Sequence, residues 1–177
     1  MPLAVAIAGR IGSGKTTLSK DLARALECAR ASFGDYVRCA VQERGLLPTR
    51  ENLQVVGTQI LINDAQGFCS SVLSTCGWQP GKDLIIDGLR HLVTIPIIRR
   101  LVEPAAMKIV YISTPEQIRL QRLKDRGEGD ASNVARIESH SSEQELESVA
   151  QIADIVVRGD RPREVNVAEI TAWFTNQ

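Results

Sequence analysis

The fold is decided by one stretch, Gly9-Arg10-Ile11-Gly12-Ser13-Gly14-Lys15-Thr16. It follows an apolar run at residues 3–8 and precedes a helical pattern, so it has both the residue spacing and the strand, loop, helix context of a phosphate-binding P-loop. Its glycines permit backbone angles in which successive N–H groups turn inward around a phosphate. The start of the following helix adds unpaired N–H groups and the positive end of its dipole. The stretch therefore predicts a site for the phosphates of a nucleotide.

The side chains of this stretch predict ATP and Mg²⁺ as cofactors. Lys15 is expected to reach the β- and γ-phosphates, and the Thr16 hydroxyl is expected to ligate Mg²⁺. A glycine-rich turn with a chance lysine is the alternative, which the strand and helix context disfavours. The residues that we expect to bind the nucleotide from the loop are Gly9, Gly12, Ser13, Gly14, Lys15, Thr16 and Thr17.

Composition limits the remaining possibilities. The chain has 177 residues, enough for one domain over residues 1–177, and 21 basic residues balance 21 acidic ones. Zero net charge predicts neither a nucleic-acid nor a membrane partner, and a monomer or a homodimer is expected. No apolar run reaches the roughly 18 residues of a membrane span and no leader pattern is present, so we expect a soluble cytoplasmic protein. Cys28 and Cys39 lie in apolar helical patterns, which predicts buried free thiols.

Strand and helix patterns alternate along the chain, which indicates a doubly wound α/β fold with a parallel sheet. Ligands of such sheets bind at the carboxyl ends of the strands. Those ends carry Gly9, Asp35, Asp87 and Ser113. Strands are predicted at residues 3–8, 30–33, 84–86, 107–112 and 155–157. Helices are predicted at residues 15–28, 36–45, 65–76 and 165–174. Two more helices are predicted, one that is capped by Thr49 and reaches residue 61, and one whose first helical residue is Pro115.

Asp87 ends a buried strand, where P-loop proteins place the carboxylate that orients Mg²⁺ or its water. A capping aspartate is the alternative. The next residue is Gly88 and no water-activating glutamate, which disfavours a motor-type ATPase, and the absence of an N-K-x-D motif disfavours a GTPase. The remaining possibility is a protein that binds a nucleotide together with a second substrate as acceptor.

Arg119, Arg122 and Arg126 recur at spacings that place them on one face of a helix. Guanidinium groups above a P-loop would neutralise the charge of a transferring phosphoryl group, and Arg119 is also expected to contact the nucleotide. A solvated face with nearby acidic residues is the alternative. Gly127 begins a glycine-rich hinge, so a short lid is expected at about residues 119–140.

Arg38 and Arg90 each follow an aspartate by three residues, Asp35 and Asp87, at a strand-to-helix transition. Both arginines are therefore expected to overlook one crevice and to bind an anionic acceptor opposite the γ-phosphate. Surface ion pairs are the alternative. The acceptor-binding helical region would span about residues 35–80.

With these residues the chain resembles a nucleoside monophosphate kinase of the P-loop superfamily. The stretch Ala31-Ser32-Phe33-Gly34-Asp35-Tyr36-Val37-Arg38 is similar to the adenylate kinase segment S-T-G-D-M-L-R, and Leu84-Ile85-Ile86-Asp87-Gly88-Leu89-Arg90 is similar to L-L-D-G-F-P-R. The resemblance implies that Arg38 and Arg90 hold the acceptor phosphate and that Arg122 and Arg126 are lid arginines. It also implies a P-loop kinase fold with five parallel strands in the order 2-3-1-4-5.

The chain departs from adenylate kinases at several positions, which leaves the acceptor open. Phe33 replaces the threonine that meets the acceptor adenine, and the lid is short and has no zinc site. Residues 136–139 and 153–157 resemble dephospho-CoA-kinase-like proteins and phage deoxynucleoside monophosphate kinases more closely.

The expected reaction is in-line transfer of the γ-phosphoryl group of ATP to a small acceptor, with Lys15, Arg122, Arg126, Asp35 and Asp87 as catalytic residues. A nucleoside or deoxynucleoside monophosphate needs no base. A hydroxyl acceptor does, and Asp35 is then the best candidate. A non-catalytic ATP-binding switch is the rival hypothesis. His91 and His140 show no base-and-nucleophile pattern and are expected to be surface or crevice residues.

Overall fold

The computed structural model describes residues 1–127 and 141–176. Within them a parallel sheet is formed by β1 (Leu3–Gly9), β2 (Ala29–Ser32), β3 (Leu84–Leu89), β4 (Ala106–Ser113) and β5 (Ile155–Arg158). The helices are α1 (Lys15–Ala25), α2 (Phe33–Glu43), α3 (Arg50–Asn63), α4 (Ala65–Ser74), α5 (Thr94–Leu101), α6 (Glu116–Asp125), α7 (Ser141–Gln151) and α8 (Arg163–Thr175).

The strand order is β2-β3-β1-β4-β5 with every pairing parallel, which confirms the predicted order 2-3-1-4-5. β1 is the central strand and is buried along its whole length. The carboxyl ends of β1, β2 and β3 therefore meet at one edge of the sheet, where the loop after β1 lies. This arrangement fixes where the site is built.

Alternating side chains of β1 divide the core into two layers. Ala4, Ala6 and Ala8 face a cluster built from α2 to α5 and α7, whereas Val5 and Ile7 face a smaller cluster built from α1 and α8. On both sides apolar helix faces cover a sheet that is buried on both surfaces, as a parallel sheet requires.

One irregularity lies at the functional edge of the sheet. β1 and β3 pair regularly as far as Ile7 and Asp87, and Ala8 then pairs with Leu89, so Gly88 is an extra residue in the ladder. Its φ of 93° lies in the left-handed region that glycine adopts without strain. Leu89 remains in the core because the bulge absorbs one residue.

The structure corrects several predictions. α1 ends at Ala25 and not at residue 28, and α6 begins at Glu116, directly after Pro115. Helices α5 and α7 were not predicted, because the apolar run of α5 is short and interrupted by Pro96, and α7 is mostly polar. The predicted cap is confirmed, since the Thr49 hydroxyl accepts a hydrogen bond from the N–H of Asn52 at 3.3 Å.

The cysteine prediction was partly wrong. Cys39 is exposed on α2, and Cys28 is half-buried just before β2. The buried thiol is Cys69, which packs in the larger core cluster. The apolar neighbours of Cys39 face the core, whereas Cys39 itself lies on the solvent side of the helix. The short apolar pattern around Cys39 did not show which face of the helix it occupies.

Candidate active site

The P-loop leaves the first N–H groups of α1 without a side-chain cap. Gly14 occupies the cap position with φ at 98°, and it has no side chain that could accept their hydrogen bonds. A helix start of this kind is a binding site for anions. Lys15 is buried, and its Nζ donates to the carbonyls of Gly9 at 2.5 Å and Arg10 at 2.8 Å. The ammonium group therefore lies inside the curve of the loop, and the Thr16 side chain is exposed beside it.

Helix α6 supports the loop from behind. Arg119 is buried and donates from Nη1 to the carbonyl of Ile11 at 3.2 Å. Arg122 donates to the carbonyls of Gly12 and the following serine at 3.3 and 3.2 Å, and to that of Gly159 at 2.8 Å. A Cβ atom at Gly12 would lie 2.8 Å from the carbonyl oxygen of Arg119, so the two segments are in close contact. These arginines hold the loop in place as well as adding positive charge.

A cleft lies on the outer side of the loop, between α1, α6 and the segment that follows β5. We call it the α8 cleft. Arg126, exposed at the end of α6, lines it together with residues that the sequence analysis did not single out. Its lining residues are Ser13, Gly14, Thr17, Leu18, Ile112, Arg122, Asp125, Arg126, Gly159, Arg161, Arg163 and Asn166.

A second cleft lies on the inner side of the loop, between the ends of β2 and β3 and helices α2 and α3. We call it the α3 cleft. It is lined by Arg38, Arg90 and Arg50 together with Lys15 and Thr16. The other lining residues include Ser32, Phe33, Asp35, Leu53, Gln54, Phe68, Asp87, His91 and Thr94. The two arginines predicted to share a crevice do line one cleft, and Arg50 is a third that the sequence analysis missed.

Arg30 connects the two carboxylates of the α3 cleft. Its Nη2 is hydrogen-bonded to Oδ2 of Asp87, and its Nη1 donates to Oδ2 of Asp35 at 3.0 Å. Its Nε donates to the hydroxyl of Ser19 at 2.8 Å, and that hydroxyl donates to the carbonyl of Thr16 at 2.9 Å. The network joins β2, β3, α2 and α1, so both carboxylates have fixed positions relative to the P-loop.

The same contacts change the acidity of Asp35. Partial burial raises its pKa, but the hydrogen bonds from Arg30 and Ser32 and the positive charges of Arg30 and Lys20 outweigh this effect. The pKa of Asp35 therefore lies below its ordinary value. A carboxylate that is ionised so readily is a weak base near neutral pH.

A histidine and a glutamate from distant parts of the chain also meet at the α3 cleft. Nδ1 of His91 lies 3.0 Å from Oε1 of Glu145 on α7, and Oε2 of Glu145 accepts the N–H of Leu92 at 2.9 Å. The imidazole is mostly buried, with 16 % of the side chain exposed. His91 is thus a crevice residue, as predicted, but one with a carboxylate partner 54 residues away in sequence.

The residues present suit a magnesium ion. Thr16 and Asp87 both line the α3 cleft beside Lys15, and a hydroxyl and a carboxylate are the hard oxygen ligands that Mg²⁺ prefers. Among the described residues no three His, Cys, Asp or Glu side chains converge, so a protein cage for a metal is not found there. This fits a cation that is held largely by nucleotide phosphates and water.

Part of the predicted lid lies outside the described residues, namely 128–140, together with His140. Of the part that is described, Arg119 and Arg122 contact the P-loop and Arg126 lines the α8 cleft. In the described residues no helix has the length and apolar content needed to cross a membrane.

Five parallel strands in this order, with a P-loop after the central strand, define the nucleotide-binding fold of P-loop kinases. Solved structures agree with this class. Shikimate kinase from Aquifex aeolicus is 15 % identical, with a TM-score of 0.60 and coverage of 98 % of this chain and 97 % of that one. A gluconokinase from Sinorhizobium meliloti 1021 is 13 % identical, with a TM-score of 0.54 and coverage of 99 % and 98 %. At these identities the likeness shows the fold alone.

Sequence comparison gives the family. The protein-family model that is described as an AAA domain matches residues 5–146 of this chain. A UPF0200 protein of Methanosarcina barkeri is 30 % identical over 146 residues, which are 80 % of this chain and 76 % of that protein. A UPF0200 protein of Thermococcus onnurineus is 27 % identical over 167 residues, 90 % of each chain. The chain therefore belongs to the AAA domain family and to the UPF0200 proteins.

Proposed function

We propose that this protein is an ATP-dependent phosphotransferase that moves the γ-phosphoryl group to a small anionic acceptor. One observation carries the proposal: the α3 cleft is lined by Lys15, Thr16 and Asp87 and also by three arginines, which we call the arginine wall. A site that only hydrolysed or sensed a nucleotide has no use for a second anion-binding wall facing the phosphates. A two-substrate reaction uses both sets of residues.

In this proposal the nucleotide spans the P-loop. Its phosphates bind the N–H groups at the start of α1, and its nucleoside part lies in the α8 cleft beside Arg126. Lys15 exchanges its contacts with the loop carbonyls for phosphate oxygens, and Arg122 stabilises the loop against which the phosphates rest. Magnesium, when bound at Thr16 and Asp87, would neutralise phosphate charge.

The acceptor lies in the α3 cleft, with its anionic group on Arg38, Arg50 and Arg90. A guanidinium offers two parallel N–H donors to a phosphate or carboxylate, so this wall orients the acceptor as well as attracting it. Phosphoryl transfer depends mainly on such positioning and on charge neutralisation. A nucleoside or deoxynucleoside monophosphate is the first acceptor class, because its phosphate is already nucleophilic.

A hydroxyl acceptor is the second class. The observation in its favour is that a histidine with a carboxylate partner lines the same cleft. Both classes share the donor site and the arginine wall. They differ in whether a proton must be removed from the attacking oxygen.

The test is an ADP-release assay with ATP and Mg²⁺ over a panel of acceptors: AMP, dAMP, the other nucleoside monophosphates, dephospho-CoA, shikimate and gluconate. We expect at least one acceptor to raise ADP release well above the rate with ATP alone. Lys15→Ala should reduce that rate by about two orders of magnitude or more, because it removes a contact to the transferring phosphates.

Two results would contradict the proposal. Tight ATP binding without acceptor-dependent ADP release would favour the switch hypothesis instead. Unchanged turnover in Lys15→Ala would remove the P-loop from the mechanism. Arg24→Ala is a suitable control, because that exposed side chain on α1 pairs with Asp21 at 3.1 Å and is not among the described residues that line either cleft.

A further inference from the structure

The His91 ring is held in one orientation. Its Nδ1 lies 3.0 Å from the Glu145 carboxylate, whose second oxygen accepts the N–H of Leu92. The backbone of His91 is fixed too, because its carbonyl accepts the hydroxyl of Thr94 at 2.6 Å and the N–H of the same residue at 3.1 Å. Ring and backbone are thus both anchored at the start of α5.

The partner of Nδ1 determines the chemistry of the other nitrogen. An ionised carboxylate can only accept hydrogen bonds, so Nδ1 must carry the hydrogen. In the neutral ring Nε2 then has a free lone pair. No described residue forms a hydrogen bond to Nε2, and the ring lines the α3 cleft. An imidazole that lines a cleft and has a carboxylate on one ring nitrogen is the arrangement of an oriented general base.

The other candidate bases of this cleft are neutralised. Arg30 is hydrogen-bonded to both Asp35 and Asp87, and its hydrogen bond and charge help to hold the pKa of Asp35 below its ordinary value. These contacts favour a base other than Asp35, the residue that the sequence led us to expect for a hydroxyl acceptor.

We propose that His91, oriented by Glu145, is the catalytic base for a hydroxyl acceptor that carries a carboxylate or phosphate group. This inference rests on the phosphotransferase function proposed above. The anionic group would bind the wall formed by Arg38, Arg50 and Arg90, and the hydroxyl would face Nε2. The substrate class is therefore an anionic alcohol.

The proposed step transfers one proton and one phosphoryl group. The acceptor O–H bond breaks and its proton goes to Nε2, while the oxygen forms a bond to the γ-phosphorus of ATP. The bond between that phosphorus and the β,γ-bridging oxygen breaks, and its electron pair stays on the ADP oxygen. Glu145 stabilises the positive charge that develops on the ring.

The experiment compares hydroxyl and phosphate acceptors in wild type, His91→Gln and Glu145→Gln. Shikimate and gluconate supply a carboxylate, dephospho-CoA supplies a phosphate, and AMP and dAMP test direct phosphate phosphorylation. We expect His91→Gln to lower kcat for the hydroxyl acceptor by about 10²-fold or more while the Kd for ATP stays within twofold. Glu145→Gln should give a smaller loss in kcat, because it removes the orienting charge and retains the ring.

The matched control is Glu147→Gln on the same helix. That carboxylate is 71 % exposed and pairs with Arg10 at the surface, so its loss should leave kcat unchanged. Thermal unfolding checks that each variant folds. If His91→Gln fails to fold, Glu145→Gln and the ¹⁵N chemical shifts of the His91 ring in the wild type decide, since hydrogen on Nε2 in place of Nδ1 would overturn the inference.

Different outcomes test the role of His91 and the phosphotransferase function separately. Turnover of a hydroxyl acceptor that survives His91→Gln but not Lys15→Ala refutes the role of His91 and leaves the phosphotransferase intact. Turnover with AMP or dAMP as the only accepted substrates would likewise refute the role of His91 and leave the phosphotransferase intact. Failure of every acceptor refutes both proposals.

Discussion

Replacing Arg30 by alanine should destabilise the fold more than any surface change. The variant removes the cation that is hydrogen-bonded to Asp87 and Asp35 and also breaks the contact with Ser19. Asp87 is the critical partner, because its side chain is only 4 % exposed and it cannot turn to bulk water. The change therefore leaves a buried carboxylate without its cation.

The size of the effect follows from that burial. Removing one partner of a buried ion pair typically costs about 3–5 kcal/mol, since the remaining charge is neither solvated nor neutralised. For a chain of this size each kcal/mol lowers Tm by roughly 2–4 °C, so a fall on the order of 10 °C is expected. The urea midpoint should fall by about 2 M, taking m as roughly 2 kcal/mol per M.

The assay is urea and thermal unfolding followed by circular dichroism without nucleotide. Arg24→Ala is again the control, because its side chain is 78 % exposed and its ion pair should contribute less than about 1 kcal/mol. The double variant Arg30→Ala with Asp87→Asn should recover part of the loss, since the unpaired charge is gone. Equal midpoints for Arg30→Ala and Arg24→Ala would refute the buried-pair reasoning.

Two further predictions concern the arginine wall of the α3 cleft and the cysteine thiols. Arg38→Ala should raise the acceptor KM at least tenfold and leave the Kd for ATP unchanged. The control is Arg44→Ala, at the end of the same helix and bonded to Gln59 at 3.0 Å, which should change neither constant. A raised Kd for ATP in Arg38→Ala would place Arg38 in the donor site instead. Burial raises the pKa of the Cys69 thiol to about 11, so at pH 8 iodoacetamide should label exposed Cys39 at least about 10²-fold faster, as peptide mass mapping over time would show. Equal labelling rates would mean that Cys69 is accessible.

The sequence was sufficient for the parts of the fold that local pattern determines. The loop from Gly9 to Thr16 predicted the central strand and the first helix, and resemblance at Arg38 and Asp87 predicted the strand order. The carboxyl-end rule for parallel sheets placed these residues at one edge. Such predictions depend on short segments with strong, contiguous signals.

The remaining parts depend on distance in sequence. Arg30 is one polar residue in a four-residue strand, and its link to Asp87 spans 57 positions. Glu145 is part of a polar helix that showed no motif, and its contact with His91 exists only because α7 packs against the sheet through Leu146 and Val149. Neither contact leaves a periodic or spaced pattern that a single sequence can reveal.

The bulge at Gly88 lengthens β3 by one residue without turning Leu89 away from the core. Alanine at this position would find space, since the nearest side-chain atom is 3.6 Å away, but it would have to adopt φ near 93° at a cost of about 1–2 kcal/mol. Deleting the residue would instead remove the strain-prone position and leave Leu89 facing the core. Because Leu89 already pairs with Ala8 beyond the bulge, the deletion would restore a regular ladder and keep the register of the residues that follow. Gly88 therefore adds one backbone residue beside Phe33 and Gly34, at the edge of the α3 cleft, without changing the register of β3.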